Sequence, residues 1–299
     1  MSEPNKLLLD RESSLKSAND YNFGFNLINE ILDYGTNILP KAFDNSPHDT
    51  EALCIIGVLF RQTLVHLDAI ATLAKTGNCF SANLQCRSLL EIYLTLAWLL
   101  KSDTSVKANH LLVANLRRRR QWQSIAIPGT PEATRHSDEA SRFQLDAQMR
   151  KQIEDEIRHI DKTLADPEYS KINTAFESNY QRNNYDKQWY EVYGIRSIRK
   201  IAEDIGKLKE YRHFYSSLSE ISHGGSIWKN LTLGNEKFVN PIREPEKIPA
   251  LANFTSSYSF MIFRIILEKY LPNEIDNFNK KYVKEWRTRY MHSVPKNKQ

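Results

Sequence analysis

The sequence contains little glycine, proline and cysteine for its length. Among 299 residues there are 10 glycines, 11 prolines and 3 cysteines. A many-stranded sheet needs many tight turns, which glycine and proline favour, so this composition argues against a β-rich fold. Cys54, Cys79 and Cys86 match the spacing of neither a zinc site nor a redox pair. We therefore expect buried free thiols in a reducing compartment.

Long apolar runs and targeting signals are also missing. The N-terminal segment MSEPNKLLLDRESS is charged and has no apolar core of signal-peptide length. Arg61, Arg87, Glu91 and Arg264 interrupt the most apolar stretches, which fall short of the roughly 20 apolar residues that cross a bilayer. We expect a cytoplasmic protein that does not contact a membrane.

Several catalytic signatures are absent. The sequence has no glycine-rich phosphate loop, no G-x-S-x-G element, no H-E-x-x-H pair and no cluster of cysteine and histidine. These absences argue against an NTPase, a serine hydrolase and a metalloprotease. We expect no metal site and no cofactor.

The remaining composition is that of an ordinary globular protein. Hydrophobic residues make up 41% and charged residues 26%, and the net charge is +5, which permits contact with nucleic acid without requiring it. Apolar residues recur at helical spacing, so the sequence predicts an all-α, multi-helix bundle with a charged helix and an irregular insertion. The predicted helices cover about 23–38, 51–75, 81–100, 104–124, 207–222, 250–270 and 273–290.

The predicted domain organisation is simple. One helical domain covers 21–292, between a flexible N-terminus (1–20) and a flexible tail (293–299). The apolar helices 51–75 and 81–100 form its core hairpin. An insertion covers about 124–193: a charged surface helix over 138–164 is followed by a polar and aromatic segment, 165–193, which we expect to be irregular.

Four consecutive arginines, Arg117 to Arg120, precede this insertion, and Trp122 follows them. Consecutive residues on a helix point in all directions, so the four cannot form one flat patch. A solvated helix end is the simpler interpretation. The alternative is an RNA groove in which Trp122 stacks on a base.

Charged side chains interrupt one of the apolar helices. Arg87 and Glu91 are four residues apart in CRSLLEIYL, so they share a helix face. An isolated buried charge is costly, and we therefore predict that these two side chains are buried and paired with one another.

A second polar stripe follows four-residue steps in YRHFYSSLSEISHGG: Tyr211, Tyr215, Ser219 and His223. His223 lies just before Gly224 and Gly225, at the expected C-terminal end of a helix. The helix dipole there favours the protonated imidazolium, so His223 is a candidate proton donor near neutral pH.

Arg61 and His66 form an R-x(4)-H element in FRQTLVHLDA. Here the sequence resembles the HEPN superfamily of helical proteins, many of which are metal-independent RNases whose R-x(4–6)-H motif works in a dimer cleft. The resemblance implies an RNA substrate and a homodimer. Five residues place two side chains about 140° apart on a straight helix, so convergence of Arg61 and His66 requires a bend or a long arginine reach.

A second resemblance covers about two thirds of the chain, in ANLQCRSLLEIYLTLAWLL and the later Y-x-x-L-S-x-x-x-H-G. In these segments the sequence is similar to an uncharacterised bacterial family known only as a domain of unknown function. The matching positions are Arg87, Ser88, Glu91, Tyr215, Ser219, His223 and Gly224. The resemblance implies an all-helical fold with a shared polar centre, and it brings no established activity.

Two interpretations of the polar centre remain open. In the first, the protein is a HEPN-like effector or toxin of bacterial phage defence, a metal-independent RNase in which arginine holds a phosphate, histidine transfers protons and Glu91 orients the imidazole. The candidate catalytic residues are then Arg87, Glu91, His223, Arg61 and His66, and the candidate substrate-binding residues are Tyr215, Ser219 and Arg212. In the second, the protein is a non-enzymatic module that binds a partner protein or a small ligand, and the same network fixes the register of the core helices.

Overall fold

The computed structural model describes residues 5–46, 50–183, 185–215, 217–219, 231–232 and 238–292. The prediction of an all-α, multi-helix fold is confirmed. The described α-helices are α1 (Arg11–Asn19), α2 (Asn22–Thr36), α3 (Ile38–Asn45), α4 (Thr50–Lys75), α5 (Cys79–Lys101), α6 (Thr104–Ile125), α7 (Pro131–Arg135), α8 (Ser137–Ala140), α9 (Ala147–Leu164), α10 (Pro167–Asn183), α11 (Ile198–Asp204), α12 (Leu208–Glu210), α13 (Ile248–Tyr270), α14 (Ile275–Lys281) and α15 (Arg287–His292).

Shorter elements connect these helices. Within the described residues, π-helical turns at Tyr211–Tyr215 and Tyr282–Trp286 follow α12 and α14. The 3₁₀ turns described there cover Glu191–Tyr193, Pro245–Lys247 and Pro272–Glu274. The strands found in the described part of the chain are β1 (Leu231–Thr232) and β2 (Phe238–Val239), which pair antiparallel.

The chain divides into two compact units, residues 1–102 with 198–299 and residues 103–197. In the first unit, α2 and α5 each pack against both α4 and α13, and the core lies between these four helices. In the second unit, α6 packs against α9 and α10. The predicted single domain with an insertion at about 124–193 stays a prediction.

Close packing in the first unit explains a glycine in the last turn of α2. A Cβ atom added at Gly35 would lie 2.6 Å from Leu64 Cδ2 and 2.6 Å from Phe263 Cζ. These distances are too short for real contacts, so only glycine lets α2 approach α4 and α13 this closely.

Several sequence-based assignments were wrong. Residues 11–19, expected to be loose, form α1, because the Asp10 side chain accepts a hydrogen bond from Ser13 N and caps the helix. The helix predicted over about 23–38 was expected to stop before Pro40, but Pro40 lies in the first turn of a further helix, α3, where a backbone N–H is not needed. The segment 165–193, expected to be irregular, contains α10, which buries Tyr169 and Phe176. The helix was not predicted because most of its residues are polar and only these two side chains are buried.

The cysteine prediction holds for two of the three residues. Cys79 and Cys86 are buried free thiols, and burial raises the pKa of each to about 12. Cys54 is also free, but it is exposed on α4, contrary to the expectation. The sequence around Cys54 is apolar on most sides of the helix, so it did not indicate which side would be left exposed to solvent.

Two helical segments, Glu51–Lys75 and Pro245–Tyr270, are long and apolar enough to cross a membrane by length and composition. This is weak evidence, because core helices of soluble proteins pass the same test. The two segments differ in burial, which is 39% for the first and 61% for the second. On α4 the apolar residues Cys54, Val58 and Val65 are exposed within the described part of the protein.

Candidate functional site

The predicted Arg87–Glu91 pair forms on α5. Arg87 Nε donates a hydrogen bond to Glu91 Oε1 at 3.2 Å. The pair is not buried as expected, because the two side chains remain 20% and 37% exposed. Leu84, Ser88 and Thr95, on the same face of α5, are also at least partly exposed, so solvent reaches this side of the helix.

Tyr215 joins this pair from a segment 128 residues further along the chain. Arg87 Nη2 donates a hydrogen bond to the Tyr215 hydroxyl at 3.1 Å, and the guanidinium carbon lies 5.1 Å from the centre of the Tyr215 ring. The Tyr211 ring stacks on Tyr215 with centroids 4.5 Å apart and planes at 17°. Two distant segments therefore build one polar and aromatic site.

A π-helical turn presents the two tyrosines, whereas the sequence predicted a continuous α-helix over 207–222. In the structure, α12 ends at Glu210 and Tyr211–Tyr215 follow with wider, i to i+5 hydrogen bonding. Such turns are rare and occur frequently at functional sites. Tyr211, although part of the predicted polar stripe, was missed as a site residue, and its four-residue spacing from Tyr215 was the available signal.

Electrostatics at the site favour a charged guanidinium and neutral phenols. Partial burial lowers the pKa of Arg87, but the hydrogen bond from Arg87 to Tyr215 and the charge of Glu91 outweigh this effect and raise it above its usual value. The pKa of Tyr215 is raised by burial and by Glu91, although the hydrogen bond from Arg87 lowers it. Burial also raises the pKa of Tyr211. At neutral pH the site therefore presents one fixed cation beside two neutral hydroxyl groups.

The remaining residues of the polar stripe are less closely defined. His223 and Gly224 lie outside the described residues. Ser219 is partly exposed. Arg212 is exposed in the π-helical turn. The pKa of Glu203 on α11 is lowered mainly by a hydrogen bond from Lys200, and the charge of Arg212 contributes to the same effect.

The Arg61–His66 element lies on α4, and its two residues have different surroundings. His66 Nδ1 donates a hydrogen bond to Gln85 Oε1 on α5 at 2.7 Å, two residues before Arg87. Arg61 is exposed, and no hydrogen bond or ion pair joins it to His66 among the interactions described for the chain. Gln85 lies about 200° around α5 from Arg87, so this contact places His66 on a different side of the helix from the Arg87–Glu91 pair. Gln85 was not predicted, and nothing in its sequence context indicated this contact.

The four consecutive arginines of α6 are bound within the second unit. Arg117, 8% exposed, donates to both carboxylate oxygens of Asp186 and to Glu177 and Asn173. The other three bind polar or acidic partners: Arg118 with Gln188, Arg119 with Glu156 and Arg120 with Asp161. The run is therefore neither a simple solvated helix end nor an uncompensated basic groove. Trp122 remains 68% exposed.

A metal site is not apparent in this part of the molecule. Among the residues whose placement is described, no group of three His, Cys, Asp or Glu side chains is arranged to hold a metal ion. The side chains of the Arg87 site supply a cation, a carboxylate, two phenols and their aromatic faces.

The fold and site define a helical bundle with a partly exposed guanidinium–carboxylate–phenol centre. Residues 53–238 match a family of unknown function (DUF5677), and the chain belongs to this family. The matched range contains Arg87, Glu91 and Tyr215, and the predicted membership of an uncharacterised family is confirmed. No curated protein and no solved structure matches the chain.

Proposed function

We propose that the protein is a HEPN-like helical effector that cleaves RNA without a metal, and that Arg87, Glu91 and Tyr215 form part of its site. The observation that carries this proposal is a guanidinium held by Glu91 and Tyr215 on a side of α5 that solvent reaches. A substrate phosphate needs such a fixed cation, and a held guanidinium needs little reorganisation to bind it.

The site residues can serve a transesterification. The RNA 2′-hydroxyl attacks the adjacent phosphorus, the 5′-oxygen leaves, and a 2′,3′-cyclic phosphate forms. Arg87 stabilises the negative charge that grows on the phosphate oxygens. Glu91 accepts the 2′-hydroxyl proton or orients the histidine that does so. His223 supplies the proton to the leaving oxygen, and the Tyr211–Tyr215 stack offers an aromatic surface for a base.

The proposal includes a cellular setting. The three free cysteines support a cytoplasmic location. The resemblance to HEPN proteins supports a toxin or defence effector that acts as a homodimer. Helix α4, which carries Arg61 and His66, is the element whose apolar surface is available for a second copy.

An alternative function is a non-enzymatic module that binds a partner protein or a small ligand. The observation that favours it is that Arg87 is already engaged by Glu91 and Tyr215, as in a network that only fixes the position of the π-helical turn on α5. Buried and half-buried polar networks often have this structural role.

Substitutions that preserve shape separate the two functions. We expect purified protein to cleave single-stranded RNA in EDTA and to leave 2′,3′-cyclic phosphate ends. Glu91→Gln should reduce cleavage by about 10²-fold or more, as for loss of a general base, and leave the melting temperature within a few degrees of the parent value. His223→Gln tests the proposed proton donor in the same assay.

The matched control is Glu154→Gln, at an exposed position of α9. It removes one negative charge and should leave cleavage unchanged. A large fall in melting temperature for Glu91→Gln, together with no cleavage by the parent protein on structured or unstructured RNA, would support the non-enzymatic module and overturn the RNase.

A further inference from the structure

A cleft outside the family-matched range lies between α13, α14, the second π-helical turn and α15. Its volume is about 350 Å³, within the roughly 300–1,000 Å³ typical of small-molecule sites. Its lining residues are Ser257, Phe260, Met261, Arg264, Phe278, Asn279, Tyr282 and Tyr290. We call it the aromatic cleft.

The aromatic walls are fixed by the core behind them. Phe260 meets Tyr282 edge to face at 5.1 Å and stacks on Trp286 at 5.3 Å. Trp286 is fully buried and meets Tyr34 of α2 edge to face at 5.2 Å. Rings held in this way cannot collapse into the cleft without disturbing the core, so the space is preformed.

A few polar groups accompany the rings. Ser257 Oγ donates a hydrogen bond to the Asn253 carbonyl oxygen at 2.8 Å, so the Tyr290 hydroxyl donates to Ser257 Oγ at 2.8 Å and this pair offers acceptor oxygens to a ligand. The side-chain amide of Asn279 is a further partner. This combination of apolar walls with a small number of polar groups is typical of ligand sites.

Arg264 gives the aromatic cleft a positive charge. It is the one charged side chain among the lining residues. Its Nε donates to Glu268 at 2.8 Å, but the two side chains are 59% and 49% exposed, and such surface pairs are weak. An anionic group on a ligand can therefore bind Arg264 without breaking a strong internal interaction.

We propose that the aromatic cleft binds a small planar aromatic molecule that carries an anionic group. Its ring packs among Phe260, Tyr282 and Tyr290, and its anion faces Arg264. Aromatic rings favour the edge-to-face and offset contacts that these walls provide. A protein partner is a poorer fit, because a stable protein interface buries on the order of 1,000 Å² of surface, which is more than the walls of a cleft of this size provide.

The proposal is tested by fluorescence titration of the full chain with two matched probes. One is 1-anilinonaphthalene-8-sulfonate, a planar aromatic anion, and the other is N-phenyl-1-naphthylamine, its uncharged parent compound. We expect saturable binding of both. Arg264→Gln should weaken binding of the sulfonate by about tenfold, the effect of one charge-assisted hydrogen bond, and leave binding of the uncharged probe within about twofold.

Met261→Trp fills the cleft and should weaken binding of both probes by about tenfold or more. Arg158→Gln is the control, because Arg158 forms a comparable exposed pair with Asp155 on α9; it should change neither titration. Circular dichroism melting verifies that each variant is folded. If folded Arg264→Gln binds the sulfonate as tightly as the parent chain does, or if binding does not saturate, the proposed site is wrong.

Discussion

Arg87 and Arg117 are both held by carboxylates, yet their surroundings differ. Arg117 is 8% exposed and binds two acids and an amide, so its charge is compensated within the second unit. Arg87 is 20% exposed and binds one carboxylate and one phenol, on a face of α5 that solvent reaches. The second arrangement leaves a cation on a side of the helix where an anionic ligand can approach it.

Buried tyrosines make a prediction about alkaline pH. Tyr93 and Tyr258 meet edge to face at 5.5 Å, and burial raises the pKa of both above the ordinary value. In the unfolded chain a tyrosine ionises near pH 10. The stability that these phenols contribute is therefore fully present below about pH 10 and is lost as pH rises towards their folded pKa values, by at most about 1.4 kcal/mol per pH unit for each tyrosine.

Urea denaturation between pH 8 and 11.5 measures this loss. We expect the free energy of unfolding to fall above about pH 10, and to fall less steeply in the double variant Tyr93→Phe, Tyr258→Phe. Tyr185→Phe, at a 51% exposed position, is the control and should follow the parent profile. Parallel slopes in the double variant and the parent would contradict the assignment.

Single helices in this protein depend on contacts that sequence composition does not show. Helix α9 has the charged, surface-crossing pattern that was predicted, although it begins at Ala147 rather than near residue 138. Helix α10 lacks an obvious apolar stripe and is anchored by Tyr169, Phe176 and the ion pair from Glu177 to Arg117. Its stability therefore comes from packing on α6 rather than from helix propensity.

The Arg117 network should dominate the stability of the second unit. Arg117→Gln leaves Asp186, 16% exposed, without its guanidinium partner, and we expect a loss of about 2–4 kcal/mol. This is below the cost for a fully buried pair because Glu177 is 48% exposed. Arg119→Gln, at a 61% exposed position of the same helix, should cost less than about 1 kcal/mol.

Hydrogen exchange of α6 and α10, combined with urea denaturation, compares the two variants. The expected pattern is strong deprotection of both helices in Arg117→Gln and little change in Arg119→Gln. Equal effects of the two substitutions would show that the buried network does not stabilise this unit.

At the scale of the whole molecule, we consider the exposed apolar residues of α4, which a partner could cover. The helix has 26 residues, so at 1.5 Å per residue it is about 39 Å long. Val58 and Val65 are 58% and 49% exposed on it, and Cys54 is exposed as well. In a dimer that packs α4 against α4, the exposed residues of one copy would lie against the same residues of the other copy, as two-fold symmetry requires.

We therefore predict a homodimer that depends on α4. Val58→Asp with Val65→Asp should shift the protein from dimer to monomer in sedimentation velocity at micromolar concentration. Because both positions are exposed, the melting temperature of the monomer should change little beyond the loss of the dimer contribution. Val106→Asp, at a 53% exposed position of α6, is the control. A parent protein that sediments as a monomer up to tens of micromolar contradicts the prediction.

The sequence by itself determined the features that depend on near neighbours along the chain. Apolar periodicity located α4, α5 and α13, and four-residue spacing was enough to pair Arg87 with Glu91, because both residues lie one turn apart on one helix. Membership of an uncharacterised family was also predicted from the sequence, and the family match over 53–238 confirms it.

Only the tertiary structure decided which faces of those helices are covered. It left α4 and the Arg87 side of α5 partly exposed, buried Arg117 among three partners, and brought Tyr215 to Arg87 across 128 residues. The physical reason is that periodicity records how apolar a face is, whereas burial depends on segments far away in the chain that pack against it. The proposed site and the aromatic cleft both arise from such long-range packing.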